Sequence, residues 1–345
     1  MQNLVWNRKG DYSNYEKKIM SIAIALVMML SVFSVPAMAA ESEVTIIATD
    51  FESENEDSLA IVEYDYSTKE ETTSTLYLDT LKNNNASRAA SMNISAGEIS
   101  EAYIPVGLEV ASQDSITSRS ADLAAWGPIG NSNVNVYPYT AVLAMKMGWE
   151  NEDGEMDWYL GTGFLEGYDV VATAGHNMWD GTYGWVDDCR FYVRQNSSIY
   201  SEEDFYYPKQ WVCASNYTSN MDEKYDWCAI TLWDNLGSAN GWFGKGWSEN
   251  KINNKLITMS GYPLWYGKQY SGGAETSSST AYVVRYNMVV PQGTSGSPIY
   301  DSNYIVWAIQ SRGYSSTKDQ GARITEFLYN ILQDKYLEGA EIYGN

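Results

Sequence analysis

Three short stretches of the sequence carry residue types able to do nucleophilic chemistry. Residues 170–176, Val-Val-Ala-Thr-Ala-Gly-His, form an apolar run that ends in small residues and then His176, the only histidine. Residues 225–232 set Asp226 at the mouth of an apolar stretch, and residues 293–298, Gly-Thr-Ser-Gly-Ser-Pro, make a glycine-rich turn around Ser295. A serine hydroxyl is a poor nucleophile at neutral pH, so an imidazole must take its proton as it attacks a carbonyl carbon. The imidazole in turn needs a carboxylate to hold its tautomer and stabilise the cation that forms. The glycines let the backbone bend so that the N–H groups of Gly293 and Ser295 point at the developing oxyanion, each such donor contributing on the order of 3 kcal/mol. Alone, each stretch is weak: a histidine after a strand is commonly structural, and an aspartate at a strand mouth is commonly a turn residue. Together, in the order His, Asp, Ser, they single out His176, Asp226 and Ser295. Asp222 is the main rival for the carboxylate, with Asp187 and Asp188 weaker; the apolar strand after Asp226 favours that residue.

These groups must be positioned by the elements around them. From about Ala121 onward, short runs of β-branched and aromatic residues alternate with Gly, Asn, Asp and Ser turns, for example at residues 139–145, 158–165, 169–173, 227–233, 281–290 and 305–310. Many short strands at this spacing predict an all-β barrel or sandwich. Only the end reads as helix: Thr325 can cap a run in which Phe327, Leu328, Ile331 and Leu332 recur at helical spacing, with Gly339 as the stop. The stretch 40–119 is acidic, rich in Ser, Thr and Asn, and closes in an exposed linker near residues 112–120.

The chain has 345 residues, with 22 basic against 44 acidic side chains and a net charge of −22. Such a surface repels phosphate backbones and anionic lipid, which argues against nucleic acid and membrane surfaces as partners. Lys17-Lys18, the apolar residues 19–35 and Ala37-Met38-Ala39 have the order of a secretory signal cut after Ala39, after which nothing holds the protein to a membrane. Three cysteines, Cys189, Cys213 and Cys228, predict one bridge and one free thiol with three possible pairings in an exported protein. One histidine and no CxxC or HExxH spacing leave no convincing metal site.

The stretches ATAGH (172–176), YDWCAI (225–230) and GTSGSP (293–298) resemble the three signatures of the trypsin-like serine proteases. Residues 257–263, Ile-Thr-Met-Ser-Gly-Tyr-Pro, and the use of GSP where GGP is usual, resemble the bacterial V8-like glutamyl endopeptidase branch. The likeness spans roughly Tyr137 to Leu332. It implies two six-stranded antiparallel β-barrels with the active site in the cleft between them, a C-terminal α-helix on the outside, and synthesis as an inactive precursor. The domain plan that follows is a signal peptide (1–39), an acidic pro-segment (40–119) released near Arg119, and a protease domain (120–345). The implied activity is that of a secreted, monomeric endopeptidase acting on peptide or protein substrates through an acyl-enzyme, with no cofactor. Two departures stand out: Thr294 replaces the aspartate that pairs with a new N-terminus, and Asn177 replaces the cysteine that usually follows the histidine. A third concerns specificity. Where glutamyl endopeptidases bind the substrate carboxylate with threonine and histidine, this chain has Val290 and Gln310, although Arg312, in the pocket-wall stretch Gln310-Ser311-Arg312-Gly313, can attract an acidic side chain. Two other classes compete: an inactive binding module that keeps the fold, and carbohydrate binding through the 13 tryptophans and 28 tyrosines, which lack a regularly spaced platform.

Overall fold

The computed structural model describes residues 57–92, 94, 99–111, 126–197, 200–264 and 267–344. The signal-like residues 1–39, the cleavage site near Arg119 and the linker at 112–120 lie outside them. The N-terminal part supplies β1 (Ser58–Asp65), β2 (Glu70–Tyr77), α1 (Leu78–Ser91), β3 (Ile99–Ser100) and β4 (Gly127–Pro128). Next come β5 (Val142–Glu150), β6 (Met156–Leu165), β7 (Val170–Thr173), β8 (Trp179–Asp180), β9 (Gly184–Trp185), β10 (Asp188–Val193) and β11 (Pro208–Ala214). After α2 (Ser215–Asn220) and β12 (Cys228–Leu232) follow α3 (Gly237–Asn240), β13 (Gly244–Gly246), β14 (Leu256–Gly261), β15 (Tyr270–Ser279) and β16 (Val283–Tyr286). The chain ends with β17 (Pro298–Tyr300), β18 (Ile305–Gly313), β19 (Asp319–Arg323) and α4 (Glu326–Tyr343).

The protein is mostly β, as its turn-punctuated apolar runs predict. In the second half, β17-β14-β15-β16-β19-β18 form a ring, because β17 pairs with both β14 and β18. This is a closed six-stranded barrel, and closure removes its sheet edges. The other sheet runs β10-β5-β6-β7-β12-β11 and continues into β1 and β2, an eight-stranded antiparallel path whose ends do not pair among the described residues. Its outermost strand, β2, reads Glu-Glu-Thr-Thr-Ser-Thr-Leu-Tyr and is largely exposed, a polar edge that discourages further pairing.

Residues on both sides of position 119 thus share one compact unit. In β1, Leu59, Ile61, Val62 and Tyr64 are buried, and Tyr64 stacks on Trp211 of β11 with ring centroids 4.6 Å apart. Each such burial stabilises by roughly 1.5–3 kcal/mol, which explains how so polar a segment holds on. Helix α1 lies along α4, tied by Lys82–Glu326 at 2.6 Å, Arg88–Asp334 at 2.7 Å and Arg88–Glu341 at 3.0 Å. Helix α4 begins where expected: the Thr325 hydroxyl accepts the Leu328 N–H at 3.2 Å. It does not stop at Gly339. The helix runs on to Tyr343, and the glycine lets it pass close to Asp169, whose carboxylate a Cβ would meet at 2.6 Å.

Candidate active site

His176 and Asp226 come from neighbouring strands. Strands β7 and β12 pair antiparallel, Cys228 opposite Thr173, so the residues just beyond one end of each lie side by side. His176 sits in a single 3-10 turn after β7, and Asp226 closes another just before β12. The carboxylate is fully buried and faces the histidine with both oxygens: Nδ1 lies 2.9 Å from Oδ2 and 3.1 Å from Oδ1, and the His176 backbone N–H donates to Oδ1 at 2.9 Å. The Ser311 hydroxyl adds a donor to Oδ2 at 2.5 Å.

Burial by itself would lift the Asp226 pKa, but the histidine's charge and the converging donors outweigh it and hold the carboxyl below its usual range. The imidazole mirrors this. Burial favours its neutral form, yet Asp226 prevails and the ring's pKa stands above its ordinary value. An ionised carboxylate on Nδ1 makes that nitrogen the N–H donor, so in the neutral ring Nε2 is left as the acceptor. The histidine side chain keeps 32% exposure, enough to be reached from solvent.

Ser295 arrives from the closed barrel, on the turn between β16 and β17. Gly293 and Gly296 flank it with φ of +90° and +87°, a region that L side chains rarely adopt. The other sheet holds this turn. Thr162 of β6 donates its N–H to the Ser295 carbonyl at 2.9 Å and its hydroxyl to the Gly293 carbonyl at 3.0 Å. Asn177 donates its side-chain amide to the same Ser295 carbonyl at 3.0 Å and to the Thr173 hydroxyl at 2.9 Å. The residue standing where a bridging cysteine is usual is therefore a hydrogen-bonded tie between the histidine and serine loops.

His176 and Ser295 line the same cleft, in a hollow of about 260 Å³ walled by Trp149, Tyr159, Asp180 and Tyr183. Among the described residues no hydrogen bond joins the Ser295 hydroxyl to the ring; it points to the Ser311 carbonyl at 3.5 Å. Neither the Gly293 nor the Ser295 backbone N–H has an acceptor among them, so both are free for a ligand. Val290, Gln310, Ser311 and Arg312 all border the adjoining pocket, together with His176 and Ser295. Gln310 is buried, whereas Arg312 is half exposed and lies 3.7 Å from Glu223.

The rival aspartates are occupied elsewhere. Asp222 caps the turn before Asp226, Asp187 accepts the Glu150 N–H at 2.9 Å, and Asp188 binds Arg190. Sequence reasoning missed Ser311 as a partner of Asp226, Thr162 and Asn177 as supports of the serine turn, and Asp319, which borders the pocket. The signal for Ser311 was weak, a lone hydroxyl in a strand. The three cysteines are all free thiols, but Cys213 and Cys228 face each other across β11 and β12 with sulfurs 2.8 Å apart, while Cys189 lies against Met178.

No protein-family model matches the chain. It is 28% identical over 214 residues to an extracellular metalloprotease of Bacillus subtilis, covering 59% of this chain and 65% of that one. It is 25% identical over 219 residues to a glutamyl endopeptidase of Bacillus licheniformis, covering 58% and 64%. The matches thus span just under two thirds of each curated relative. Among solved structures, a Glu endopeptidase in complex with MPD superposes with a TM-score of 0.53 at 18% identity, over 62% of this chain and 97% of that one. The fold is similar to that of this Glu endopeptidase, and the sequence likeness to the glutamyl endopeptidase points the same way, to the trypsin-like serine proteases and, among them, the V8-like branch. Among the described residues no group of three or more His, Cys, Asp or Glu side chains is placed to hold a metal ion, and Nδ1 of the single histidine is engaged by Asp226.

Proposed function

We propose that this protein is a secreted serine endopeptidase in which His176, Asp226 and Ser295 act as a triad. The observation that carries this is the buried Asp226 carboxylate set on Nδ1 of a histidine that shares a cleft with Ser295, beside two unengaged backbone N–H groups. Ser295 Oγ attacks the peptide carbonyl while Nε2 of His176 takes its proton, and the Gly293 and Ser295 N–H groups receive the oxyanion. The C–N bond then breaks as the imidazolium returns that proton to the leaving amine, leaving an ester on Ser295. Water, deprotonated by the same ring, hydrolyses the ester. The step requires the Ser295 hydroxyl to turn from the Ser311 carbonyl toward the ring by rotation about Cα–Cβ; such contacts are often long before substrate arrives.

The same reading takes residues 1–39 as the export signal and 40–119 as a pro-segment, and counts β10-β5-β6-β7-β12-β11 as the counterpart of the second barrel. It pairs Cys213 with Cys228 once export exposes the thiols to a disulfide oxidant; three titratable thiols in the unfolded, secreted protein would remove that bridge. No helix among the described residues is long and apolar enough to cross a membrane. The deciding test is fluorophosphonate labelling followed by peptide mapping. Adduct on Ser295, lost in His176→Ala, supports the triad; a folded protein that neither labels nor cleaves any peptide in a library removes it.

A further inference from the structure

The pocket beside Ser295 contains a charge that none of the triad's work uses. It has a volume of about 530 Å³, and its walls include Val290, Gln310, Gly313 and Asp319. Asp319 is only 2% exposed. Its Oδ2 accepts the Val290 N–H at 2.9 Å, five residues before the nucleophile. Across the β18–β19 pairing it stands opposite Gly313, which also lines the pocket and where a Cβ would come into contact with Oδ1 at 3.5 Å. Among the described residues no lysine, arginine or histidine forms an ion pair with Asp319. Its neighbours are a backbone amide, the Gln310 side chain and the Tyr286 ring.

A buried carboxylate without a counter-ion is costly, and structures that keep one usually gain something from it. The competing charge is Arg312, which borders the same pocket. It is 44% exposed and already faces Glu223, so solvent and that partner screen it. Asp319 acts from low dielectric, where the same charge counts for several times more.

We propose that Asp319 makes this pocket select a cationic side chain, lysine or arginine, at the residue preceding the scissile bond, not the glutamate that the V8-like resemblance suggests. The proposal rests on the serine endopeptidase reading. A lysine ammonium or arginine guanidinium in the pocket supplies the missing partner, while a glutamate would put a second anion beside it.

The test is a peptide library that varies this position, read as kcat/KM for the secreted wild type and for Asp319→Asn. Wild type should cleave after Lys or Arg at least ~10-fold faster than after Glu, and in Asp319→Asn the ratio of cleavage after Lys or Arg to cleavage after Leu should fall about 100-fold. Fluorophosphonate labelling of Asp319→Asn reports whether its site is still formed. Should that variant not fold, competitive inhibition of wild type by benzamidine, an amidinium probe, is the second expected result. Preference for Glu, basic-site cleavage untouched in Asp319→Asn, or no inhibition by benzamidine overturns the proposal while leaving the endopeptidase reading intact. Wild type that labels on Ser295 yet has no preference at this position overturns it too, whereas failure of both labelling and cleavage takes down the enzyme reading with it.

Discussion

Removing the Ser311 hydroxyl tests whether Asp226 works as an electrostatic support. The hydroxyl donates to Oδ2 of a carboxylate that is fully buried, and Ser311 itself is 4% exposed, so water cannot readily replace it. A hydrogen bond to a charged group contributes about 1.5–3 kcal/mol, and 1.36 kcal/mol is tenfold in rate. If most of that contribution supports the imidazolium in the transition state, Ser311→Ala lowers kcat by about 10- to 100-fold. KM should scarcely move, because the hydroxyl is turned to Asp226. Ser311→Thr keeps a hydroxyl and should recover most of the loss. A second readout is stability against pH. The Asp226 pKa is lower folded than unfolded, so its stabilisation is present above the unfolded value and fades as pH falls through the folded one. The stability gap between wild type and Ser311→Ala should therefore be full at neutral pH and narrow in acid below the usual carboxylate pKa. Steady-state kinetics on a chromogenic peptide and urea melts from pH 3 to 8 measure both, the range chosen to bracket an ordinary Asp. A folded Ser311→Ala with kcat within twofold of wild type, or with the loss confined to KM, refutes the reasoning.

Because the neutral ring is the base and its pKa is raised, the acid limb of kcat/KM should have its midpoint above pH 6.5; a midpoint below that value contradicts the His176–Asp226 coupling. Asn177→Ala cuts the tie to the Ser295 carbonyl and should cost roughly tenfold in kcat, with labelling of Ser295 slowed in parallel; an unchanged labelling rate would show the tie to be idle. Glu166 and Lys245 form a fully buried pair at 3.7 Å against the rings of Tyr329 and Tyr336 on α4. Glu166→Gln should cost about 3–5 kcal/mol in chemical denaturation by stranding the lysine, and Glu166→Leu with Lys245→Met should recover much of it; a harmless single variant refutes the pairing. A cut near Arg119 should leave residues 57–111 bound, seen by native mass spectrometry as a second polypeptide; its complete loss from active enzyme would show the β1 pairing to be dispensable.

The sequence carried the candidate triad plainly because chemistry restricts the types it needs: one histidine, one aspartate before an apolar strand, one serine between glycines. The strands were legible where both faces are buried, as in β7 and β12, whose residues are apolar almost throughout. What stayed hidden depended on tertiary partners. Polar β2 and the weakly amphipathic α1 have no strong pattern of their own and are held by β1 and α4. Gly339 looked like a helix stop because glycine usually ends helices, and only the closeness of Asp169 explains it mid-helix. Asp319 was lost among 44 acidic residues, since nothing local separates a pocket carboxylate from a surface one.

The serine turn also explains why the N-terminal segment bears on the cleft. A Cβ at Gly296 would run into the Thr162 carbonyl and the Thr173 hydroxyl, both from the opposite sheet, so the turn closes only when that sheet is in place. In that sheet β1 pairs with β11, and the hairpin of β8 and β9 rests on the same region: Trp185 contacts Tyr64 and Trp211, and its indole N–H donates to Glu71 at 2.7 Å. Asp180 and Tyr183 of that hairpin wall the hollow holding His176 and Ser295. The described part of the stretch read as a pro-segment thus supports a wall of the cleft from outside: among the described residues of 57–111, none lines either pocket at the triad.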